Sequence, residues 1–400
     1  MIPRTLFSPE HDAFRDTVRR FIAEHVTPHH ADWERAGQVP RSLWLKAGEL
    51  GLLCCNVPEA YGGMGGDFLH STILVEEMAF AGATGPTFYL HSDIVAPYLV
   101  DFGSEAQKQH WLPKMATGEV VVALGMSEPS GGSDVQAMRT QAVRVSAAEI
   151  GEGRGADGGE AGDHYVINGQ KVFITNGHSA DLLLLACKTD PKARAKGVSL
   201  ILVETDRPGF TRGRKLEKIG CKAQDTSELF FSDLRVPAAN LLGPAEGSGF
   251  AQLMTQLAQE RLIQAIRAVS SCEAALRWTI DYVRERKMFG GTLGDFQNTR
   301  FKLAELHAEV LAQRVFVDRC IELHLRAEFD AVDAAAAKLV STELQGKVMD
   351  QCLQFFGGWG YMWEYPIARA FADARMGRVG GGAVEVMKQI IGNALLPKAR

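Results

Sequence analysis

The sequence predicts an α+β protein of three successive domains, helical at both ends and rich in β-strands in the middle. Apolar residues recur at helical spacing before residue 117 and after residue 249, and short β-prone runs fill the segment between them. The predicted domains are a helical domain over 1–118, an antiparallel β-barrel over 119–245 and a helical bundle over 246–400. A chain of 400 residues is long enough for two or three domains with ample core.

The N-terminal domain is predicted to start its first helix at Ser8. Serine followed by proline suits a helix N-terminus, and Phe14, Val18 and Phe21 then follow at helical spacing. Further helices are predicted over Arg41–Leu50, Leu69–Ala81, Pro86–Phe102 and Ser104–Ala116.

The middle domain is predicted from β-prone runs bounded by Gly, Asn, Asp and Pro. No long helix separates these runs, which favours an antiparallel barrel or sandwich over a parallel sheet. The segment Gly151–Asp163 is acidic and rich in glycine, and it predicts a mobile loop between two strands. The runs are Glu119–Gly125, Tyr165–Ile174, Leu182–Cys187, Val198–Glu204 and Glu228–Val236.

The C-terminal domain returns to long helical patterns, as in a helical bundle. Pro366 opens a shorter helix after the longest ones, because proline suits the first helical turn. The predicted helices are Leu253–Arg284, Thr299–Ala327, Ala331–Phe356, Pro366–Arg375 and Ala383–Leu396.

Composition excludes several classes of function. The net charge of −5 shows no basic excess, so nucleic acid is not an expected partner. No apolar run approaches the ~18–20 residues that a membrane helix needs. The N-terminus lacks the charged and apolar regions of a secretory signal. We therefore expect no membrane contact and a cytoplasmic location.

The cysteines and histidines predict neither a disulfide framework nor a metal site. The seven cysteines are odd in number and contain no C-x-x-C spacing, so we expect reduced, mostly buried thiols. His25, His29 and His30 are clustered, but Pro28 interrupts their helix and no carboxylate or cysteine has metal-like spacing. A solvated helix end is the expected structure there.

Two strand ends carry residues that suit a planar ligand. In the loop Gly125–Asp134, hydroxyls and glycines can present backbone N–H groups to the edge of a ring. In Lys171–Gly177, Phe173 could form the wall of a planar cofactor and Thr175 could bond to its edge. The residues alone favour simpler interpretations, a polar turn and a strand entering a type I′ turn.

Glu260 is a candidate general base. It follows Leu253 by seven residues, about 700° of helix rotation, and therefore lies on the same apolar stripe. A carboxylate there is costly unless paired, and desolvation raises its pKa toward that of a useful base. An ion pair with Arg261 or with another helix is the alternative.

The segment Gln354–Pro366 combines glycines with aromatic residues between two predicted helices. Glycines allow a ligand to approach the backbone closely, and the aromatic rings offer planar surface. A buried aromatic corner between two helices is the alternative.

Taken together, these segments resemble the acyl-CoA dehydrogenase family over nearly the whole chain, from about Ser8 to Leu395. The run Gly-Met-Ser-Glu-Pro-Ser-Gly-Gly-Ser-Asp after Gly125 resembles the family's first motif. The run from Gln354 to Glu364, followed by Arg369 and Asp373, resembles its second. The resemblance implies bound FAD, an acyl-CoA substrate, an electron-transferring flavoprotein as partner, and a homotetramer built as a dimer of dimers.

The resemblance also assigns roles to single residues. Met126, Ser127, Phe173 and Thr175 would contact the isoalloxazine region of FAD. The diphosphate and adenosine would meet a second set, partly from a neighbouring subunit: Arg286, Phe289, Gln297, Gln354, Gly358, Ala383 and Glu385. Substrate contacts would come from Ser133, which is also assigned to the cofactor site, and from Arg261 and Gly381.

The chain departs from the family pattern at the catalytic glutamate. Many members carry it in a C-terminal tyrosine-glutamate-glycine-threonine segment, where this chain has Gly380-Gly-Gly-Ala. The long-chain and isovaleryl types take the glutamate from the bundle helix instead, at the place of Glu260. The Gln-Glu-Arg-Leu run around Glu260, Phe173 and the Gly-Gly-Trp-Gly-Tyr-Met-Trp-Glu-Tyr-Pro run are most similar to the long-chain type. Glu385 is the second candidate for the base.

The predicted reaction is FAD-dependent α,β-dehydrogenation of a long or branched acyl-CoA to the trans-2-enoyl-CoA, as in fatty acid β-oxidation. Flavin-dependent oxygen chemistry on the same scaffold, by an oxidase or a two-component monooxygenase, is the main alternative. A scaffold that binds flavin or acyl-CoA without catalysis is the third.

Overall fold

The computed structural model describes residues 2–146 and 162–397, so most of the predicted loop Gly151–Asp163 lies outside the described residues. The N-terminal region is helical, as predicted. Its helices are α1 (Pro9–Phe21), α2 (His30–Ala36), α3 (Arg41–Glu49), α4 (Phe68–Phe80), α5 (Ala96–Phe102) and α6 (Glu105–Ala116).

Local sequence explains where these helices begin. Ser8 caps α1, as predicted. Before α6, the Ser104 hydroxyl accepts a hydrogen bond from the Gln107 backbone N–H, and the Gln107 side chain accepts one in return from the Ser104 N–H. The predicted helix Pro86–Phe102 is irregular, because Leu90–Val95 forms a π-helical turn directly before α5.

The middle region is a curled sheet in which seven strands pair within the described residues. The strands are β1 (Val122–Gly125), β2 (Gln141–Val145), β3 (His164–Thr175), β4 (Leu182–Lys188), β5 (Val198–Glu204), β6 (Phe210–Lys215) and β7 (Thr226–Pro237). Their order is β1-β4-β2-β3-β7-β6, with β5 beside β4.

The prediction of an antiparallel arrangement is wrong for two pairs. β1 and β4 run parallel over their full contact, and β2 and β4 meet in parallel at Gln141 and Lys188, whereas β2–β3, β3–β7, β4–β5 and β6–β7 are antiparallel. Parallel neighbours need a long crossover connection. Here the β2–β3 hairpin lies within that connection, in place of a helix.

The C-terminal region consists of long helices around α7. The helices are α7 (Gly249–Glu285), α8 (Gln297–Leu325), α9 (Ala331–Phe356), α10 (Pro366–Ala374) and α11 (Val384–Leu395). A short hairpin of β8 (Lys287–Met288) and β9 (Gly291–Thr292), which was not predicted, joins α7 to α8. No helix among residues 2–146 and 162–397 is long and apolar enough to cross a membrane.

Helix α7 connects two apolar cores. Leu253, near its start, packs with residues of the sheet and of α5 and α6. Its later residues, from Leu262 to Leu276, pack in a second core with α8 and α9. Glu260 lies between these two stretches. The three-domain fold agrees with the prediction, and the boundaries at 118/119 and 245/246 stay predictions.

Candidate functional site

Glu260 is buried in the middle of α7, and only 4% of it is exposed. The Tyr98 hydroxyl on α5 donates a hydrogen bond to Glu260 Oε1 at 3.0 Å. Burial raises the pKa of Glu260 to about 7, against the lowering effects of the Tyr98 hydrogen bond and the Arg261 charge. A carboxylic acid with a pKa near neutrality can take up and release a proton under physiological conditions.

The alternative of an ion pair with Arg261 is not what the structure shows. No salt bridge joins Glu260 to any residue of the described part of the chain within 4.0 Å, and Tyr98 is its hydrogen-bond partner. Arg261 is itself buried, and its Nε has no partner among the described residues. Burial lowers the pKa of Arg261. An unpartnered buried donor beside a buried acid leaves room for a polar ligand.

The loop that contains Gly381 and Gly382 lies against α7 close to Glu260. Gly381 has φ +66° and Gly382 has φ +100°, conformations that side chains other than glycine rarely adopt. A Cβ at Gly381 would lie 3.5 Å from Cγ of Gln264, which follows Glu260 by one helical turn. The Gly381 backbone therefore lies close to the turn that follows the candidate base.

Lys338 on α9 holds this loop in place. Its ammonium group is fully buried and donates a hydrogen bond to the Gly382 carbonyl. Burial lowers its pKa to about 8, and the Arg261 charge acts in the same direction. Ala383 caps α11 just beyond the loop, and Glu385 is exposed on the first turn of α11. Exposure makes Glu385 a poorer candidate for the base than Glu260.

The residues predicted to meet the isoalloxazine ring lie at neighbouring strand ends. The Val172 N–H donates to the Ser127 carbonyl at 3.0 Å, and the buried Lys171 ammonium donates to the Met126 carbonyl at 3.0 Å. Glu128 pairs with Lys171 at 2.8 Å. This buried pair fixes the loop after β1 against β3.

Phe173 stands out from this surface. It has φ +61° at a bulge of β3, and 68% of it is exposed although it is a large aromatic residue. Thr175, two residues on, accepts a hydrogen bond from the Gln224 side chain at 2.8 Å. Ser133 is exposed on the same loop as Met126 and Ser127. An exposed ring held by strained backbone suits stacking on a planar ligand.

The residues predicted to contact the diphosphate and adenosine of FAD lie apart from these strand ends. Arg286, Gln354 and Gly358 line one cleft of about 680 Å³, and none of the strand-end residues lines it. Gln297 begins α8 nearby in sequence, and Phe289, at φ +49°, is 90% exposed on the β8–β9 hairpin. No side-chain hydrogen bond engages Arg286 within the described residues, so its charge is available to an anion.

Sequence reasoning missed Tyr98 and Lys338. Tyr98 lies 162 residues before Glu260, and nothing in the sequence links the two. Lys338 carried a usable signal, because it is a single charge in the apolar run Ala334-Ala-Ala-Ala-Lys-Leu-Val. A lysine on an apolar helix face needs a buried partner.

Of the three clustered histidines, His30 differs from the prediction, whereas His29 is exposed as expected. His30 is not solvated: it is buried, its Nε2 accepts hydrogen bonds from the Thr84 and Gly85 N–H groups, and burial lowers its pKa to about 4. His11, Asp67 and His70 lie close enough to hold a metal ion. The His11 and His70 rings already accept capping hydrogen bonds from the Ser8 and Asp67 N–H groups, which accounts for this cluster without a metal.

Family models match three successive parts of the chain. They describe the N-terminal domain of acyl-CoA dehydrogenase over residues 8–119, its middle domain over 123–234 and its C-terminal domain over 247–396.

Curated relatives match almost the full length. The long-chain specific acyl-CoA dehydrogenase of Sus scrofa is 48% identical, covering 98% of this chain and 88% of the relative. The isovaleryl-CoA dehydrogenase of Oryza sativa is 37% identical, covering 98% of this chain and 92% of the relative.

Solved structures agree. An acyl-CoA dehydrogenase from Geobacillus kaustophilus superposes with a TM-score of 0.92 at 45% identity, covering 98% and 100% of the two chains. A structure described as the electron transferring flavoprotein of Acidaminococcus fermentans has a TM-score of 0.89 at 32% identity, covering 98% and 100%. A glutaryl-CoA dehydrogenase from Mycobacterium smegmatis, solved with FADH2, has a TM-score of 0.88 at 26% identity, covering 99% and 96%. With this fold, these domains and these relatives, the chain belongs to the acyl-CoA dehydrogenase family.

Proposed function

We propose that this chain oxidises the Cα–Cβ bond of an acyl-CoA thioester to the trans-2-enoyl-CoA, with Glu260 as the base that removes the Cα proton. The observation that carries the proposal is a buried glutamate whose hydrogen-bond partner is a phenol and whose pKa is raised to about 7 by burial. Bound FAD would supply the two-electron acceptor for the Cβ hydride. The proton and the hydride together account for the two hydrogens lost.

The residues present fit an FAD molecule. Phe173 offers a strained, exposed ring beside the Met126 and Ser127 backbone, and Thr175 borders it. Arg286, whose side chain makes no hydrogen bond to the described residues, offers a cation in a cleft where Gly358 lacks any side chain. A planar ring system and a diphosphate need these two kinds of surface.

The backbone N–H of Gly381 is proposed to bind the thioester carbonyl as negative charge develops there. That role needs no side chain, and an oxyanion is stabilised by donors fixed in advance. Lys338 fixes this loop through Gly382. Arg261, with an unpartnered Nε, and the exposed Ser133 are proposed to contact the substrate.

We further propose a homotetramer. The cleft with Arg286, Gln354 and Gly358 does not include the strand-end residues, so a second copy can complete each flavin site. Phe289, Gln297, Ala383 and Glu385 are assigned to the same adenosine side. Most of the large apolar residues that are exposed lie after residue 286, which supports burial by other copies.

The substrate and partner follow from the relatives. The match to long-chain and isovaleryl enzymes, and the missing side chain at Gly381, support long or branched acyl chains in fatty acid oxidation. An electron-transferring flavoprotein is the proposed electron acceptor, supported by the related structure of that description. The seven buried, free cysteines support a reducing, cytoplasmic location.

The test is anaerobic flavin reduction by a panel of acyl-CoAs, from butyryl-CoA to palmitoyl-CoA and including isovaleryl-CoA. The purified protein should be yellow, with about one FAD per chain, and the longer or branched substrates should give the higher kcat/KM. A protein that binds no added FAD, or is bleached by no acyl-CoA, would refute the proposal. Rapid reoxidation of the reduced protein in air would favour an oxidase or monooxygenase instead.

A further inference from the structure

A narrow cavity of about 60 Å³ runs beside α7 from Gln264 to Trp278. Its other walls come from α4, α9 and α10 and from the segment Thr84–Tyr89. Gln264 also faces Gly381, so one end of the cavity lies beside the loop proposed to hold the thioester. A volume of this size holds a few water-sized groups, which suits the distal part of an acyl chain.

Arg267 gives this cavity a polar wall. Its Nη1 donates hydrogen bonds to the Tyr89 hydroxyl and to Gln264 Oε1, both at 3.1 Å, and the guanidinium lies 4.4 Å from the centre of the Tyr89 ring. No carboxylate of the described residues lies within 4.0 Å of it. Its other N–H groups make no hydrogen bond to residues 2–146 or 162–397. A half-buried cation with unused donors favours an acceptor on the ligand.

Asp373 lines the same cavity and limits what that acceptor can be. Its carboxylate accepts hydrogen bonds from the Thr84 hydroxyl at 3.2 Å and from the Cys221 N–H. A carboxylate has about four acceptor positions, so at least one is left for a ligand. The second cation in the lining, Arg369, donates to the Trp363 carbonyl instead. The cavity therefore offers one cationic donor and one acidic acceptor.

A hydroxyl group satisfies both sides, because it accepts from Arg267 and donates to Asp373. A plain alkyl end would leave the remaining Arg267 donors and the remaining Asp373 acceptor position unused, and an anionic end would meet the Asp373 carboxylate. Arg267 follows Glu260 by seven residues, about 10 Å along the helix. Resting on the dehydrogenation proposed above, we propose that this cavity selects acyl chains that carry a hydroxyl group near their distal end.

The experiment compares kcat/KM for flavin reduction by three chain lengths. The substrates are 8-hydroxyoctanoyl-, 10-hydroxydecanoyl- and 12-hydroxydodecanoyl-CoA, each beside the unsubstituted and the ω-carboxylated chain of the same length. At one length at least, the hydroxylated chain should exceed both others about tenfold, since a buried polar group left unpaired carries a penalty of that order.

Two variants assign the preference to Arg267. Arg267→Met should abolish the hydroxyl preference, so that the hydroxylated and unsubstituted chains of one length give kcat/KM values within about twofold of each other, whereas Arg267→Lys, which keeps the charge, should retain part of the preference. Arg277→Met is the matched control, because Arg277 is on the same helix, lies over Phe80 and is exposed outside the cavity.

Equal or lower kcat/KM for every hydroxylated chain in the wild type would overturn the inference, even if Arg267→Met fails to fold. A preference for the carboxylated chain, or one that Arg267→Met leaves unchanged, would overturn it too. Bleaching by none of the substrates would instead refute the proposed function.

Discussion

Two buried glutamates, Glu76 and Glu260, have opposite electrostatic surroundings. Glu76 on α4 accepts hydrogen bonds from Arg4 at 2.7 Å, Arg314 at 2.9 Å and Arg15 at 3.1 Å. Within the described part of the chain, Glu260 has a single hydrogen-bond partner, the neutral phenol of Tyr98. Burial alone would raise the pKa of Glu76, but the arginines outweigh it and lower that pKa to about 2, whereas burial raises the pKa of Glu260 to about 7.

The difference in pKa indicates that Glu76 stabilises the fold as a carboxylate, whereas Glu260 is suited to proton transfer. The Glu76 carboxylate stabilises the fold above about pH 4.5, and that contribution is lost as the pH falls towards 2. The raised pKa of Glu260 stabilises the fold below about pH 4.5, and that contribution is lost as the pH rises through 7. Each contribution is about 3 kcal/mol. Burial of Glu260 therefore lowers the stability of the fold as the pH rises through 7, but it leaves an acid that can exchange its proton in that range.

Glu260→Gln is expected to have the largest effect. The amide keeps the size of the side chain but cannot accept the Cα proton, so single-turnover flavin reduction should slow by ~10²–10⁴-fold. FAD content and thermal stability should be retained. Glu273→Gln is the control, because Glu273 lies on the same helix and pairs with Arg314. Near-normal bleaching in Glu260→Gln would move the search for the base to Glu385.

Glu76→Gln should leave the rate of flavin reduction unchanged but lower the free energy of unfolding. Removing one partner of a buried charge cluster leaves the arginines uncompensated, which costs ~3–5 kcal/mol in the free energy of unfolding. Urea unfolding of the FAD-loaded protein measures the loss. The control Glu309→Gln, an exposed partner of Lys347, should change it by less than about 1 kcal/mol. If the two variants lost equal stability, the contrast with Glu260 would be wrong.

Arg286→Ala should weaken FAD binding by ~1.5–3 kcal/mol, because a diphosphate would lose one charge-assisted hydrogen bond. Fluorescence titration of the apoprotein with FAD measures the change. Arg284→Ala is the control, since Arg284 is exposed on the last turn of α7, two residues before Arg286. An unchanged FAD affinity in Arg286→Ala would remove Arg286 from the proposed site.

The rate of flavin reduction should rise with pH. Only ionised Glu260 accepts a proton, so with a pKa of about 7 the rate should increase roughly tenfold between pH 6 and pH 8 and then level off. Stopped-flow bleaching at fixed ionic strength gives the profile. A flat profile over this range would mean that the base titrates outside it.

The sequence predicted those elements whose own residues carry the pattern. Helix α9 and strand β5 begin and end where their apolar spacing does. Strand β6, Phe-Thr-Arg-Gly-Arg-Lys, has no apolar alternation, and pairing with β7 alone makes it a strand. The parallel pairing of β1 with β4 likewise depends on the rest of the sheet.

The candidate site divides in the same way. Glu260 and Gly381 stood out from spacing and resemblance, but the positive φ of Gly381 is visible only in the folded chain. A glutamate moved to position 381 would therefore be strained as well as repositioned. Tyr98, which sets the environment of the base, comes from another helix and left no trace in the local sequence.

Tyr98→Phe is expected to have the smallest effect of these changes. It is also the most direct test of the contrast between Glu260 and Glu76. The Tyr98 hydroxyl donates to Glu260 Oε1 and favours its ionised form, so its removal should raise the pKa of Glu260 by about one unit. Flavin reduction at pH 7 should then slow about fivefold, and the loss should disappear at pH 9, because only the midpoint of the profile moves.

Tyr165→Phe is the matched control for that change, since the Tyr165 hydroxyl donates to Glu246 at 2.7 Å in the sheet domain. It should leave the pH profile where it is. A rate loss in Tyr98→Phe that persists at pH 9 would mean that the phenol positions the substrate rather than tuning the acid. The pKa of Glu260 would then be set by burial alone, and the Tyr98 hydroxyl would have no part in the difference between Glu260 and Glu76.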